Sequence, residues 1–140
     1  MKCKELMVGD FCRSGHGFPR QITNVGDDYA YATFEGNEGD AWKFNDKDEQ
    51  PQPIKITKKL LKANGWVIES YYSVEHNHNV DYYAKEEGRY ELMWDNGTLS
   101  IFHNNNKSYY DIVVPVKYVH QLQQILRLAG MTELANNFKV

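Results

Sequence analysis

"VKYVHQLQQILRLAG", residues Val116 to Gly130, is the clearest helix in the chain and the stretch that decides its organisation. At about 100° per residue, Tyr118, Val119, Leu122, Ile125, Leu126 and Ala129 fall on one side. His120, Gln123, Gln124 and Arg127 form a polar row opposite them. Pro115 suits the start of a helix, because its fixed φ and missing N–H cost little there. Gly130 suits the end, where the residue after the last turn commonly takes a positive φ. A helix this short is marginal alone in water. Its apolar stripe must lie on something, and the rest of the chain offers mostly β-structure.

Working outward, the segment before this helix carries the best hairpin. Tyr90, Leu92 and Trp94 alternate before Asn96-Gly97, and Leu99 and Ile101 alternate after it. Asn-Gly between alternating runs is the type I′ signal, since both central residues need φ > 0. Asn104 to Lys107 marks a second turn and Ser108 to Val114 a further strand. Upstream, Trp66 to Val74 is rich in β-branched and aromatic residues, Glu75 to Asp81 has the composition of a loop, and Tyr82 to Ala84 is a short strand before a turn at Glu86-Glu87-Gly88. These runs predict an antiparallel meander with the C-terminal helix lying over its apolar face.

The N-terminal part predicts short strands cut by turns. Leu6 to Val8 leads into Gly9-Asp10 and then Phe11 to Arg13. Ser14 to Gly17 is a loop. Arg20 to Val25, Tyr29 to Phe34 and Ala41 to Phe44 are β-rich runs, separated by turns at Gly26 to Asp28 and Gly36 to Asp40. Strands of this length and spacing point to an SH3-like or strongly bent small β-unit. After the charged loop Asn45 to Gln50, Pro51 and Pro53 hold the chain extended. Thr57 is a good N-cap and Gly65 a good stop, so a middle helix of about two turns is expected over Lys58 to Asn64.

The expected class is therefore α+β. Residues 1–140 form one compact domain or two sub-lobes: 1–65, the β-unit with its short helix, and 66–140, the meander with the C-terminal helix.

A chain of 140 residues buries roughly 68–70% of its unfolded surface and needs no disulfide or metal to fold. A formal charge of −3 argues against wholesale binding to nucleic acid or anionic membrane and leaves room for a local basic patch. Lys55, Lys58, Lys59 and Lys62 are such a patch, in a segment with no acid, while Glu35 to Glu49 is acidic. The only cysteines, Cys3 and Cys12, fit neither a disulfide framework nor a zinc knuckle. No apolar run follows Lys2 and Lys4 as a signal peptide would require, and no run reaches a transmembrane length, so a cytoplasmic protein with reduced thiols is expected. Ten tyrosines suit half-buried strands and binding surfaces equally.

Catalytic patterns are sparse. Gly-x-Ser-x-Gly is absent, and Gly15-His16-Gly17 lacks the Lys-Ser/Thr and helix that phosphate-cradling chemistry requires. Cys12 and His16 make a conceivable thiol–imidazole pair, with nothing to orient the ring. His76 and His78 would face the same way on a strand, and Asp81 or His103 would supply a third ligand for a metal-dependent hydrolase. The surroundings read as a polar loop with no HExxH or comparable motif, so an ordinary solvated loop is the preferred reading, and neither a metal nor a cofactor is expected. The polar row His120, Gln123, Gln124 and Arg127 carries amides and a guanidinium suited to a peptide or a nucleic-acid backbone, although any surface helix has a polar face. The lysines, with Trp66 and Trp42 as stacking partners, are the corresponding candidate for single strands.

Three blocks carry a resemblance. Glu5 to Phe11 resembles the "ELRIGNWV" opening of a group of small bacterial proteins from phage and prophage regions of gut bacteria. Pro53 to Trp66 resembles their middle "PIPLTEEILLKNGF" segment. Lys117 to Gln123 resembles their closing "YVHELQNLYFALTG", with Gly130 at the final glycine. Val67 to Val116 lies outside the shared blocks. The resemblance implies a cytoplasmic accessory protein of a mobile element and brings no activity, cofactor or catalytic residue. The expected function is a non-catalytic module binding an unidentified protein, with nucleic acid as the alternative partner and no membrane.

Overall fold

A computed structural model describes residues 1–15, 17–33, 42–103 and 112–140. The fold is α+β, built on a curled four-stranded antiparallel half-barrel and a five-stranded antiparallel sheet. The chain divides into two compact units. The first comprises Met1–Lys55 and Tyr118–Phe138 with Val140. The second comprises Ile56–Lys117 with Lys139.

In the first unit a 3₁₀ turn, Cys3–Glu5, precedes β1 (Phe11–Arg13), β2 (Pro19–Val25), β3 (Tyr29–Thr33) and β4 (Trp42–Asn45), which pair in that order. The bend has a local cause. The register between β2 and β3 shifts between Ile22 and Asn24, so Thr23 is an extra residue on its strand. A bulge of this kind bends the strand and raises its twist. Cys3, Leu6, Cys12, Ile22, Ala30, Ala32 and Phe44 fill the concave side. Arg20 adds its guanidinium over the Trp42 ring at 4.3 Å.

The same unit contains α2 (Val119–Leu128) and α3 (Thr132–Asn136). This corrects the expectation that the last helix belongs with the meander and that the boundary falls at residue 65. The helix also starts later than Pro115 suggested: Pro115 ends a strand, and Tyr118 is the N-cap. Val119 N–H donates to Ile54 O, and Lys55 bridges Tyr118, which anchors the start of α2 to the segment just after the prolines. Val119, Leu122 and Leu126 are buried, while Leu128 is exposed. Gly130 takes φ +83°, as its place after the helix predicts.

The second unit opens with α1 (Lys58–Ala63), capped by Thr57 Oγ1 accepting from Leu60 N–H. Then β5 (Val67–Ser73), β6 (His78–Glu87), β7 (Tyr90–Asp95), β8 (Thr98–His103) and β9 (Ile112–Pro115) pair in sequence as a meander. The Asn96-Gly97 turn has φ of 43° and 93°, the positive values the hairpin demanded. Leu92, Leu99, Ile101 and Tyr83 are buried on one face of the sheet, as are Leu61, Trp66 and Val116 elsewhere in this unit. Trp94 Nε1 donates to Val116 O at 2.9 Å, closing the end of the meander.

The turn after β5 is shorter than the composition of Glu75 to Asp81 implied, because β6 begins at His78. His16, the Gly36 to Asp40 turn, the Asn104 to Lys107 turn and the start of the Ser108 to Val114 strand lie outside the described residues. Among the described residues no helix is long and apolar enough to cross a membrane.

Candidate functional site

The polar row of α2 turns inward, which corrects its reading as an outer face. Gln123 is fully buried. Its Oε1 accepts from Phe11 N–H at 2.8 Å, and its Nε2 donates to Gly9 O and Ala135 O, both at 3.0 Å. One amide therefore joins α2 to β1, to the turn before it and to α3. Gln124 Nε2 donates to Glu5 O at 2.8 Å and to Asp10 Oδ2 at 2.6 Å. Arg127 forms a short ion pair with the fully buried Asp10, and its Nε donates to Asn136 Oδ1 at 3.2 Å. Asp10 Oδ2 also accepts from Met7 N–H at 2.8 Å.

Gly9 suits this place by its backbone conformation, and its missing Cβ leaves room for the Arg127 guanidinium. Its φ is +92°, and a Cβ would stand 2.8 Å from Arg127 Nη2. His120 is buried against Tyr118, with ring centroids 6.0 Å apart. Burial pushes its pKa below the ordinary 6.5, against the opposing pull of Asp10 and Glu5. Gln123, Gln124 and the Asp10–Arg127 pair spend most of their hydrogen-bonding capacity inside the first unit and tie chain segments together, while His120 Nδ1 and Arg127 Nη2 are buried without a hydrogen-bond partner among the described residues.

The lysines divide between the units. Lys58, Lys59 and Lys62 are exposed on α1, and Lys55 is exposed in the first unit. Trp66 is buried and offers no stacking face, and Trp42 already carries Arg20. Elsewhere, Lys43 Nζ lies 5.5 Å from the Tyr29 ring and 5.8 Å from the Tyr31 ring, a basic and aromatic cluster on β3 and β4.

The histidines do not converge as metal ligands. His76 and His78 stack with centroids 5.9 Å apart, and His78 Nδ1 is already 2.8 Å from Asn79 O. Asp81 lies three positions from His78 on β6 and so faces the other side of the sheet. His103 packs on Tyr90 at 4.8 Å. Among the described residues no group of three His, Cys, Asp or Glu is placed to hold a metal ion. Cys12 is buried and its thiol is pushed up to about 12 by desolvation, which removes the thiolate a nucleophile needs. Its proposed partner His16 lies outside the described residues.

The surface that sequence patterning missed is β5. It is an edge strand, and six of its seven residues are exposed. Val67, Ile68, Tyr71 and Tyr72 are 56%, 47%, 44% and 58% exposed, and Val74 just beyond is 86% exposed. Alternation puts Val67, Glu69 and Tyr71 on one face and Ile68, Ser70 and Tyr72 on the other, so both faces are open.

The polar tips are held from within the unit. Tyr72 Oη donates to Asn77 Oδ1 at 2.5 Å, Ser70 Oγ to Asp81 Oδ1 at 2.7 Å, and Glu69 Oε2 accepts from Tyr82 Oη at 2.8 Å. Tyr71 leans on Tyr82 with centroids 5.7 Å apart. Side chains held this way lose less entropy on contact with a partner. Val, Ile and Tyr on both faces normally mark a buried strand. The available signal was the absence of any charge except Glu69, in a run bounded by exposed turns.

Compared with known proteins, the chain matches no family model, no curated protein and no solved structure.

Proposed function

We propose that this chain is a non-catalytic protein-binding module, an accessory protein of a phage or related mobile element, and that β5 is its contact surface. The observation that carries the reading is the run Val67 to Val74, with four large apolar side chains exposed on an edge strand and a fifth, Val74, just beyond it. Clustered exposure of this kind favours a protein partner over solvent. An edge strand also presents unpaired backbone N–H and C=O groups that a partner strand satisfies. The mobile-element origin rests on the resemblance of the Glu5, Pro53 and Lys117 blocks.

The test is a pull-down from infected or prophage-bearing host lysate, with and without nuclease, comparing the wild-type chain with Tyr72→Asp. A protein retained by the wild type after nuclease and lost with Tyr72→Asp is the expected result. Equal retention by both removes β5 as the contact surface.

A second reading, a nucleic-acid-binding module, is favoured by the exposure of Lys58, Lys59 and Lys62 on one short helix and of Lys55 in the other unit. It predicts oligonucleotide binding that falls steeply with salt and weakens in a Lys58→Ala/Lys59→Ala/Lys62→Ala variant. Absence of binding at low salt removes it.

A further inference from the structure

We infer that the occupant of the β5 edge is a second copy of this chain, added antiparallel about a two-fold axis through Ser70 to make one continuous sheet across two protomers. The inference rests on β5 being a protein-contact surface and names the partner.

Four observations carry it. First, β5 is a long, regular edge suited to pairing. It is seven residues long and pairs with β6 in unbroken register from Val67↔Ala84 to Ser73↔His78. Among the described residues, the backbone pairing of β5 is to β6 alone.

Second, two other edges, β1 and β9, carry devices that oppose addition of a strand. At β1, Arg13 and Gln52 exchange both backbone hydrogen bonds, at 2.8 and 2.9 Å. β9, described over Ile112–Pro115, ends in Pro115. Short strands, covered edges and proline are the ordinary protections of an edge, and β5 has no proline, no lysine and no bulge.

Third, the strand is complementary to itself in one register. A two-fold axis normal to the sheet keeps each residue on its own face, so opposed residues must differ by an even number. Only the axis at Ser70 overlaps all seven residues. It sets Ile68 against Tyr72 of the other copy twice, the aliphatic–aromatic pairing that stabilises antiparallel strands. It sets Glu69, the strand's single charge, against Tyr71. An axis one residue earlier would place the two Glu69 carboxylates face to face.

Fourth, the polar tips of Tyr72, Ser70 and Glu69 are already bonded within the protomer, so the second copy meets ordered aliphatic and aromatic surface on both faces of the joined sheet.

The experiment uses the full chain. Sedimentation equilibrium over a wide concentration range should give a mass rising to twice that of one chain. Tyr71→Glu sets like charges opposite each other at two places and should return the mass to one chain. Adding Glu69→Lys to Tyr71→Glu should restore the twofold mass, which a merely misfolded variant would not do.

Ser70→Cys tests the axis, because residues opposed on it lie within disulfide reach in either kind of antiparallel pair. Mild oxidation should give a crosslinked dimer, while Val113→Cys, also exposed but on β9, should not. Cys3 and Cys12 do not compete, being buried with thiols pushed up to about 11 and about 12.

A chain of single mass at every concentration, with no Ser70→Cys crosslink, overturns the inference. If that monomer still captures a lysate protein that Tyr71→Glu loses, the second copy is excluded and the protein-binding reading stands. If it captures none, both fall.

Discussion

The two units place polarity in opposite ways. In the first, amides, a guanidinium and an imidazole on α2 are turned inward, where Gln123 alone holds three backbone groups. In the second, β5 turns aliphatic and aromatic side chains outward on both faces. Periodicity identifies faces but does not say which one water sees. The chemistry within each face is the better guide. A solvated helix face is usually rich in Lys and Glu, whereas Gln at two adjacent positions suits bridging of backbone groups that have no other partner.

The comparison breaks most sharply at Asp10. Asp10→Ala leaves the Arg127 guanidinium without its buried carboxylate, and a loss of about 3–5 kcal/mol in urea unfolding is expected. Gln123→Leu removes no charge but leaves Phe11 N–H without its acceptor and takes one donor each from Gly9 O and Ala135 O, for a loss of about 1–3 kcal/mol by the same measurement.

His120 gives a pH test. Its pKa is lowered in the folded state by burial, so between that value and the ordinary 6.5 the unfolded chain binds more protons. Stability therefore falls as pH drops below about 6.5, and His120→Phe should flatten Tm against pH in this window. Asp46, lowered first by accepting the Cys3 N–H, has the carboxylate sign: its contribution is present above 3.8 and is lost as pH falls below it. The two effects set in at different pH, below about 6.5 for His120 and below 3.8 for Asp46. Smallest of all, Tyr72→Ser should change stability by no more than about 0.5 kcal/mol, because its ring is already exposed, while weakening self-association. If Tyr72→Ser costs as much as Gln123→Leu, β5 is structural and the contrast between the units fails.

Local signals were the legible part of the fold. Thr57 caps α1, Asn96-Gly97 turns the hairpin and Gly130 follows α2, because each depends on a conformation or hydrogen bond set within a few residues. The strongly bent small β-unit was also legible, from strand length and spacing. The placement of α2 was not. Its apolar stripe fits any apolar sheet face, and its assignment to the first unit depends on Asp10, Gly9 and Phe11, more than 110 positions from their partners in α2. Pro115 misled because proline also suits the end of a short edge strand. The candidate surface was illegible for a related reason: alternation is informative when one face is wet, and β5 has apolar residues on both.

The most direct test of the account is hydrogen–deuterium exchange at those Val67–Ser73 amides that point away from β6, every second one along the strand, followed as protein concentration is raised. Protection of these amides that grows with concentration, while Phe11 N–H stays slow throughout, is the predicted result. Exchange at the outward-pointing amides that is independent of concentration, in a chain that stays monomeric, would contradict it.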